Sequence, residues 1–87
     1  MMDVVDAEFR LENSALLKGI GNAVQTRRLQ LNTTQDQLCK HSGINKSMIV
    51  LLESGLLDVD VHTLHKIASA LNCTVHHILQ IAESERS

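Results

Sequence analysis

Residues 33–55 decide the fold of this chain, and they read TTQDQLCKHSGINKSMIVLLESG. The segment before Gly43 has the length and apolar spacing of one short helix, and Gly43 readily takes the left-handed backbone that a tight turn needs. Asn45 can cap a second helix by accepting hydrogen bonds from its free amides. Ile49 and Leu52 lie three residues apart and mark the buried side of that helix. Two short helices joined by a glycine turn have the spacing of a helix-turn-helix.

The second of these helices has an outward side as well as a buried one. At about 100° per residue, that side is centred on Ser47, Val50 and Ser54, with Lys46 and Leu51 next to them. We expect these side chains to face a partner. The same spacing also fits a helical hairpin in any small bundle, so the two interpretations can be separated only with further residues.

Further residues follow the order and spacing of one known family. They are Ile20-Gly21 and Arg28, then Thr34-Gln35, Leu38, Gly43-Ile44-Asn45-Lys46-Ser47, Ile49, Leu52-Glu53 and Gly55, and finally Thr63-Leu64, Lys66-Ile67-Ala68, Ala70-Leu71 and residues 74–79. With these residues the chain resembles the Cro/CI/XRE family of helix-turn-helix DNA-binding domains over about residues 16–81. The resemblance implies an all-α fold, which is a compact five-helix lambda-repressor-like domain with a short N-terminal extension.

The expected helices span residues 14–31, 35–42, 46–54, 60–71 and 74–83. They place the helix-turn-helix domain at residues 14–83, with a polar tail at 84–87. Ser14 or Asn13 can cap the first helix, Asp60 the fourth and Thr74 the fifth. The extension covers residues 1–13. Apolar and charged residues alternate over residues 3–12, as they do in a short strand, although Val5 and Phe9 also lie four apart as on a helix. A strand, an arm and a frayed tail all remain open for this segment.

The composition favours helices over a sheet. The chain has 87 residues, of which 44% are hydrophobic, but it has no Trp, Tyr or Pro and one Phe, so its core must be aliphatic. A chain of this length supports a single core. No apolar run is long enough to cross a bilayer, and the first residues are acidic where a signal peptide is basic. We therefore expect a cytoplasmic protein, and the resemblance implies that it is associated with the nucleoid.

The residue patterns do not indicate an enzyme, a cofactor or a metal centre. Cys39 and Cys73 each fall within an apolar pattern and are expected to be reduced core thiols that lack an activating partner. His62 and His65 lie three apart on one helix, but neither a cysteine nor a carboxylate completes a ligand set with them. We predict surface histidines, no catalytic residue, no cofactor and no metal.

One cation falls on the buried side of the first long helix. The apolar stripe of that helix is formed by Leu17, Ile20, Val24 and Leu31. If this stripe continues along the helix, Arg28 lies on its buried side. Glu53 follows the buried Leu52 and is expected to point partly toward the same core. A buried guanidinium needs a carboxylate, and the resemblance implies that these two residues pair. We predict a structural ion pair between Arg28 and Glu53, and a solvated Arg27.

The resemblance also implies a function. The chain is expected to be a sequence-specific regulator of transcription, of repressor type, that inserts residues 46–54 into the major groove of double-stranded DNA. Because one short helix reads few base pairs, a homodimer on a two-fold symmetric operator is expected. The residues expected at the DNA are Thr34, Gln35, Asn45, Lys46, Ser47, Val50 and Leu51. The residues expected to form the dimer are Phe9, Ile78 and Ile81.

Two features favour a different partner. The formal net charge is −2, whereas binding to phosphates depends on basic residues. Val50, Leu51, Leu56 and Leu57 place apolar side chains where members of the family often carry polar or basic ones. The alternative is a protein-interaction module on a helix-turn-helix scaffold, which would bind another regulator, as a partner or an anti-repressor, through those four residues.

Overall fold

The computed structural model describes residues 2–86, with the side chains of residues 14–84. The described residues form five α-helices and no strand: α1 (Met2–Gln30), α2 (Gln35–Ser42), α3 (Lys46–Glu53), α4 (Val61–Ala70) and α5 (Val75–Arg86). The prediction of an all-α, five-helix fold is confirmed. None of these helices combines the length and the apolar character needed to cross a bilayer.

The first helix is longer than predicted. It begins at Met2 rather than near residue 14, so Ser14 lies inside α1 and does not cap it. The alternative of a short strand in residues 3–12 is therefore wrong. The apolar alternation there also leaves Val5 and Phe9 four residues apart, which is the spacing that one face of a helix requires. The side chains of residues 2–13 lie outside the described ones.

The remaining helices begin and end within three residues of the predicted positions, and the caps account for two of the differences. Asp60 and Thr74 precede α4 and α5 as caps and are not their first helical residues. The Asp60 carboxylate accepts from the Thr63 amide at 2.7 Å, and this hydrogen bond lowers the pKa of Asp60. The Thr74 hydroxyl accepts from the His77 amide at 3.0 Å. Both caps were expected from the sequence.

All five helices contribute to one aliphatic core. In it, α1 packs against α5 and α3, α2 against α3 and α4, and α4 against α5. The buried core residues are Ile20, Ala23, Val24, Leu38, Ile49, Leu52, Leu64, Ile67, Ala68, Leu71, Ile78 and Ala82. Val61 is 73% exposed although it is apolar, because the first turn of α4 lies outside the core together with Asp60 and His62.

A glycine brings α1 and α3 into close contact. A Cβ atom added to Gly21 would collide with the Leu52 carbonyl oxygen and would also press on the backbone of Glu53. Any side chain at this position would push the two helices apart. The absence of a side chain on α1 therefore sets how close α3 lies, and with it the reach of Arg28 across to α3.

Candidate nucleic-acid interface

A buried ion pair joins α1 to α3. Arg28 donates from Nε to Glu53 Oε2 at 2.8 Å and from Nη2 to Glu53 Oε1 at 2.9 Å, so the pair is bidentate. The third contact of the guanidinium runs from Nη1 to the Thr33 carbonyl at 3.0 Å. Arg28 is 8% exposed and Glu53 is 9% exposed. The hydrogen bonds to Glu53 raise the pKa of Arg28 and keep its guanidinium charged, and the expected pair is present.

Gln35 extends this pair to α2. Its Nε2 donates to Glu53 Oε1 at 3.1 Å, and the side chain is half-buried. Glu53 thus receives donors from α1 and from α2 while it lies at the end of α3. Gln35 was expected at the DNA, but one of its amide hydrogens has an internal partner. This contact fixes the first turn of α2 against α3.

The turn between α2 and α3 has the expected glycine. Gly43 has φ +75°, and its amide donates to the Cys39 carbonyl at 2.9 Å, which ends α2. The Ser42 hydroxyl accepts from the Ile44 amide at 3.2 Å. These contacts hold α3 at a fixed angle to α2, as a helix-turn-helix requires.

A capping box that was not predicted begins α2. The Gln37 amide donates to the Thr34 hydroxyl at 3.0 Å, and the Gln37 side chain accepts from the Thr34 amide at 2.9 Å. The spacing Thr-x-x-Gln is the signature that could have revealed it. Since the Thr34 amide is used here, the amides of Gln35 and Asp36 are those left without an intrahelical acceptor.

The first turn of α3 is tied to the first turn of α2. Asn45 caps α3 as expected, and its Oδ1 accepts from the Met48 amide at 2.9 Å. Lys46 Nζ lies 3.0 Å from Asp36 Oδ1 in an exposed ion pair. Asp36 was not expected at the site. The two residues are ten positions apart and lie on opposite sides of the turn, so only the packing of the two helices brings them together.

The outer face of α3 is the one that its periodicity predicted. Lys46, Ser47, Val50, Leu51 and Ser54 are all exposed. The exposed fractions of Val50 and Leu51 are 40% and 41%, whereas Ile49 and Leu52 on the opposite side are buried. The centre of this face is therefore apolar.

The loop after α3 divides the predicted apolar patch. Leu56 is 73% exposed, but Leu57 is half-buried and packs against the core. The placement of Leu57 on an exposed surface with Val50, Leu51 and Leu56 is therefore wrong. The loop has no helical period from which the difference between the two neighbouring leucines could be predicted.

Arg27 was expected to be solvated, but it holds the end of α4. Its Nε donates to the Leu71 carbonyl at 3.0 Å and its Nη2 to the Asn72 carbonyl at 3.3 Å. These carbonyls lie past the last intrahelical donors, so Arg27 satisfies them. Cys73 beside it is a half-buried free thiol, and burial raises its pKa. Cys39 is also free and half-buried.

The residues expected at a dimer contact are separated by the structure. Ile78 has no exposed surface and belongs to the core of one chain, so its assignment to a dimer contact is wrong. Ile81 is half-buried and lines an open cleft of ≈ 690 Å³ on α5 together with Leu79 and His77. The Phe9 side chain lies outside the described residues. Only Ile81 remains as an accessible candidate with a described position.

The charge of the domain differs from that of the whole chain. Among residues 14–84 there are six basic and five acidic side chains, together with all five histidines, whereas the whole chain has eight basic and ten acidic ones. The excess of acid thus comes from the two ends. The described side chains also contain no group of three histidine, cysteine or carboxylate ligands placed to hold a metal ion.

Comparison with known proteins agrees with this geometry. A family model for helix-turn-helix proteins of the HTH_3 type matches residues 24–78. A curated relative from Archaeoglobus fulgidus, named an uncharacterized HTH-type transcriptional regulator, is 33% identical over 58 residues, which cover 67% of this chain and 82% of the relative.

A solved structure is similar in fold. The clp gene regulator ClgR from Corynebacterium glutamicum matches with a TM-score of 0.79 and 24% identity, over 82% of this chain and 76% of that chain. The predicted resemblance is thus confirmed for the fold and for the motif. Because the family match spans more than half of this chain, the chain belongs to the Cro/CI-type family of helix-turn-helix DNA-binding transcription regulators.

Proposed function

We propose that this chain is a sequence-specific regulator of transcription, of repressor type, that inserts α3 into the major groove of double-stranded DNA. The observation that carries the proposal is the contact between Asp36 and Lys46, whose charged atoms lie 3.0 Å apart. This short distance follows from the packing of α2 on α3, which places the first turns of the two helices side by side. The outer face of α3 and the amino ends of both helices therefore point to one partner.

The amino ends of both helices suit the phosphates at the edges of a groove. In α2 the amides of Gln35 and Asp36 have no intrahelical acceptor, and in α3 the amides of Lys46 and Ser47 have none. Free amides at a helix N-terminus attract anions, because they add to the positive end of the helix dipole. Two such ends on one side can hold the DNA backbone in register with α3.

The caps leave donors for the same phosphates. Thr34 and Asn45 use their side-chain oxygens as acceptors within the caps. The hydroxyl hydrogen of Thr34 and the amide hydrogens of Asn45 remain to donate outward. Gln35 has a second amide hydrogen besides the one that it gives to Glu53, so it can position α2 and contact DNA together.

The proposal includes a homodimer on a two-fold operator. One helix of eight residues reaches only a few base pairs, and two copies read a site of useful specificity. Ile81 supplies apolar surface on α5. Because α5 packs against α1 and α4 while α3 packs against α1 and α2, a contact through Ile81 would leave both copies of α3 free. Sedimentation at micromolar concentration should give a dimer, and a monomer at that concentration would contradict this part.

The function is tested by retention on mixed double-stranded DNA across a salt series. Lys46→Ala and Gln35→Ala should each weaken binding by roughly 1–3 kcal/mol. Lys46→Ala should also make the slope of log affinity against log salt concentration shallower by about one, which corresponds to one phosphate contact. Lys40→Ala is the matched control, because Lys40 is an exposed cation at the other end of α2. Retention that is indifferent to both Lys46 and Gln35 would reject this recognition surface.

The exposed leucine after α3 favours a second candidate function. Leu56 is 73% exposed and extends the apolar surface of Val50 and Leu51, which suits a protein partner. For such an interaction module the order of effects inverts. Alanine at Val50, Leu51 or Leu56 would then abolish capture of the partner, while Lys46→Ala would matter little as a rim charge. The same variants assayed against DNA and against protein separate the two functions.

A further inference from the structure

The polar groups on the outer face of α3 are engaged at its two ends and sparse at its centre. Lys46 at the amino end is paired with Asp36 at 3.0 Å. Ser54 at the carboxyl end donates from its hydroxyl to the Val50 carbonyl at 2.8 Å. Between them, Val50 and Leu51 are 40% and 41% exposed. Apart from the short Ser47 hydroxyl, the middle of this helix offers only methyl groups to a partner.

The base pairs of DNA differ in what they offer to such a surface. In the major groove, guanine is read by the donors of Arg or Lys and adenine by the amide of Asn or Gln, whereas thymine presents a 5-methyl group. The centre of α3 has no guanidinium, ammonium or amide side chain. Of the four bases, only thymine therefore has a matching group for Val50 and Leu51.

We infer that Val50 and Leu51 read the 5-methyl groups of thymines, so that each operator half-site places T·A base pairs against the middle of α3. The inference rests on the proposed DNA-binding function and names the class of sequence that it selects. Burial of a methyl group against Val50 or Leu51 removes apolar surface from water on both sides. A cytosine at the same place would bury its amino donor without an acceptor, which penalises C·G pairs.

The experiment begins with selection of binding sites for the full-length protein from random DNA duplexes. Each thymine of the selected half-site is then replaced singly by deoxyuridine, which removes the 5-methyl group and leaves every hydrogen-bonding group of the base unchanged. At two or more central positions we expect affinity to fall about fourfold per methyl, the equivalent of ~0.8 kcal/mol for one buried CH₂ group. Deoxyuridine in the flanking sequence should have no effect.

A matched pair of variants assigns the methyl groups to residues. In Val50→Ala, deoxyuridine at one central position should no longer weaken binding, because the protein side of that contact is already gone. Leu56→Ala truncates another exposed apolar side chain, outside α3, and should keep full sensitivity to deoxyuridine. A coupling of this kind depends on the contact itself, so a general loss of stability in a variant would not reproduce it.

The outcomes distinguish the inference from the function on which it rests. Selected sites in which G·C pairs face α3, or sites whose central thymines tolerate deoxyuridine, would overturn the thymine reading while the DNA-binding function stands. If the wild-type protein enriches no duplex at all, the proposed function fails and the inference fails with it. Central thymines sensitive to deoxyuridine in wild type but not in Val50→Ala would support both.

Discussion

On one side of α3, Ile49, Leu52 and Glu53 are buried, whereas on the other Ser47, Val50 and Leu51 face solvent. The buried side has its partners within the chain: Glu53 receives hydrogen bonds from Arg28 and Gln35. The exposed side has few such bonds. Eight residues thus carry two kinds of constraint, one that sets stability and one that sets what the protein binds.

Substitutions on the two sides of α3 should therefore affect different properties of the protein. A substitution on the buried side acts on the free energy of unfolding, because it strands charges or opens the packing between α1 and α3. A substitution on the exposed side should leave that free energy nearly unchanged and act on the affinity for DNA. The two sides would not differ in this way if exposed-side substitutions lowered the free energy of unfolding, or if buried-side substitutions changed only the affinity for DNA.

The largest effect is expected at Glu53. Glu53→Ala should lower the free energy of unfolding by about 3 kcal/mol, because it leaves the buried Arg28 guanidinium without its carboxylate. Replacing both residues by apolar ones, as in Arg28→Met with Glu53→Leu, should cost much less, since no charge is then stranded. Chemical denaturation followed by circular dichroism measures each variant.

The control for this prediction lies on the other side of the same helix. Ser47→Ala should change the free energy of unfolding by no more than about 0.5 kcal/mol, because the side chain is exposed. If Glu53→Ala and Ser47→Ala denature at the same urea concentration, the ion pair does not stabilise the packing of α1 against α3, and the two sides of α3 do not differ in their effect on stability.

A smaller effect is expected where α1 touches the buried side of α3. The Cβ atom of Gly21→Ala would meet the Leu52 carbonyl oxygen, which belongs to the backbone and cannot rotate away. We expect a loss of about 1–2 kcal/mol, because the cost of overpacking exceeds the helix propensity gained from alanine. Thermal or chemical denaturation measures it.

The neighbouring residue provides the control for Gly21. Asn22 is exposed on the same helix, so Asn22→Ala should raise the stability by about 0.5 kcal/mol through helix propensity alone. A Gly21→Ala variant that is as stable as Asn22→Ala would mean that α1 and α3 are not held in close contact.

Much of the buried side could be predicted from the sequence, because apolar residues at helical spacing and caps before each helix are local signals. The ion pair of Arg28 with Glu53 needed the family resemblance, since nothing local links residues 25 positions apart. The beginning of α1 was missed because alternating residues fit a strand and a helix equally well.

Two contacts at the candidate site were missed for the same physical reason. The contact of Asp36 with Lys46 and the bonds of Arg27 to the end of α4 depend on how helices pack in space. The partner of a long flexible side chain depends on which groups the folded backbone brings within its reach. A backbone carbonyl acceptor cannot be recognised from the sequence, because every residue has one. The outward face of α3 was predicted correctly, since helical period alone defines it.

The smallest effect concerns Asp36, at the edge of the exposed side. Its carboxylate holds Lys46 at 3.0 Å and places a negative charge beside the expected path of the phosphates. Asp36→Asn should therefore tighten DNA binding by about 1.5- to 5-fold, the equivalent of the 0.2–1 kcal/mol of an exposed ion pair. Affinity measured across a salt series should also show a stronger salt dependence, because Lys46 then neutralises its phosphate without competition from Asp36.

Two variants separate the release of Lys46 from a simple change in net charge. Asp58→Asn removes one exposed acid from the loop before α4 and so alters the net charge equally without freeing Lys46. If Asp58→Asn tightens binding as much as Asp36→Asn, net charge explains the gain. The double variant Asp36→Asn with Lys46→Ala should bind DNA no more tightly than Lys46→Ala alone, because no ammonium is left to release. If the gain persists there, Asp36 acts by repelling phosphate directly and not by holding Lys46.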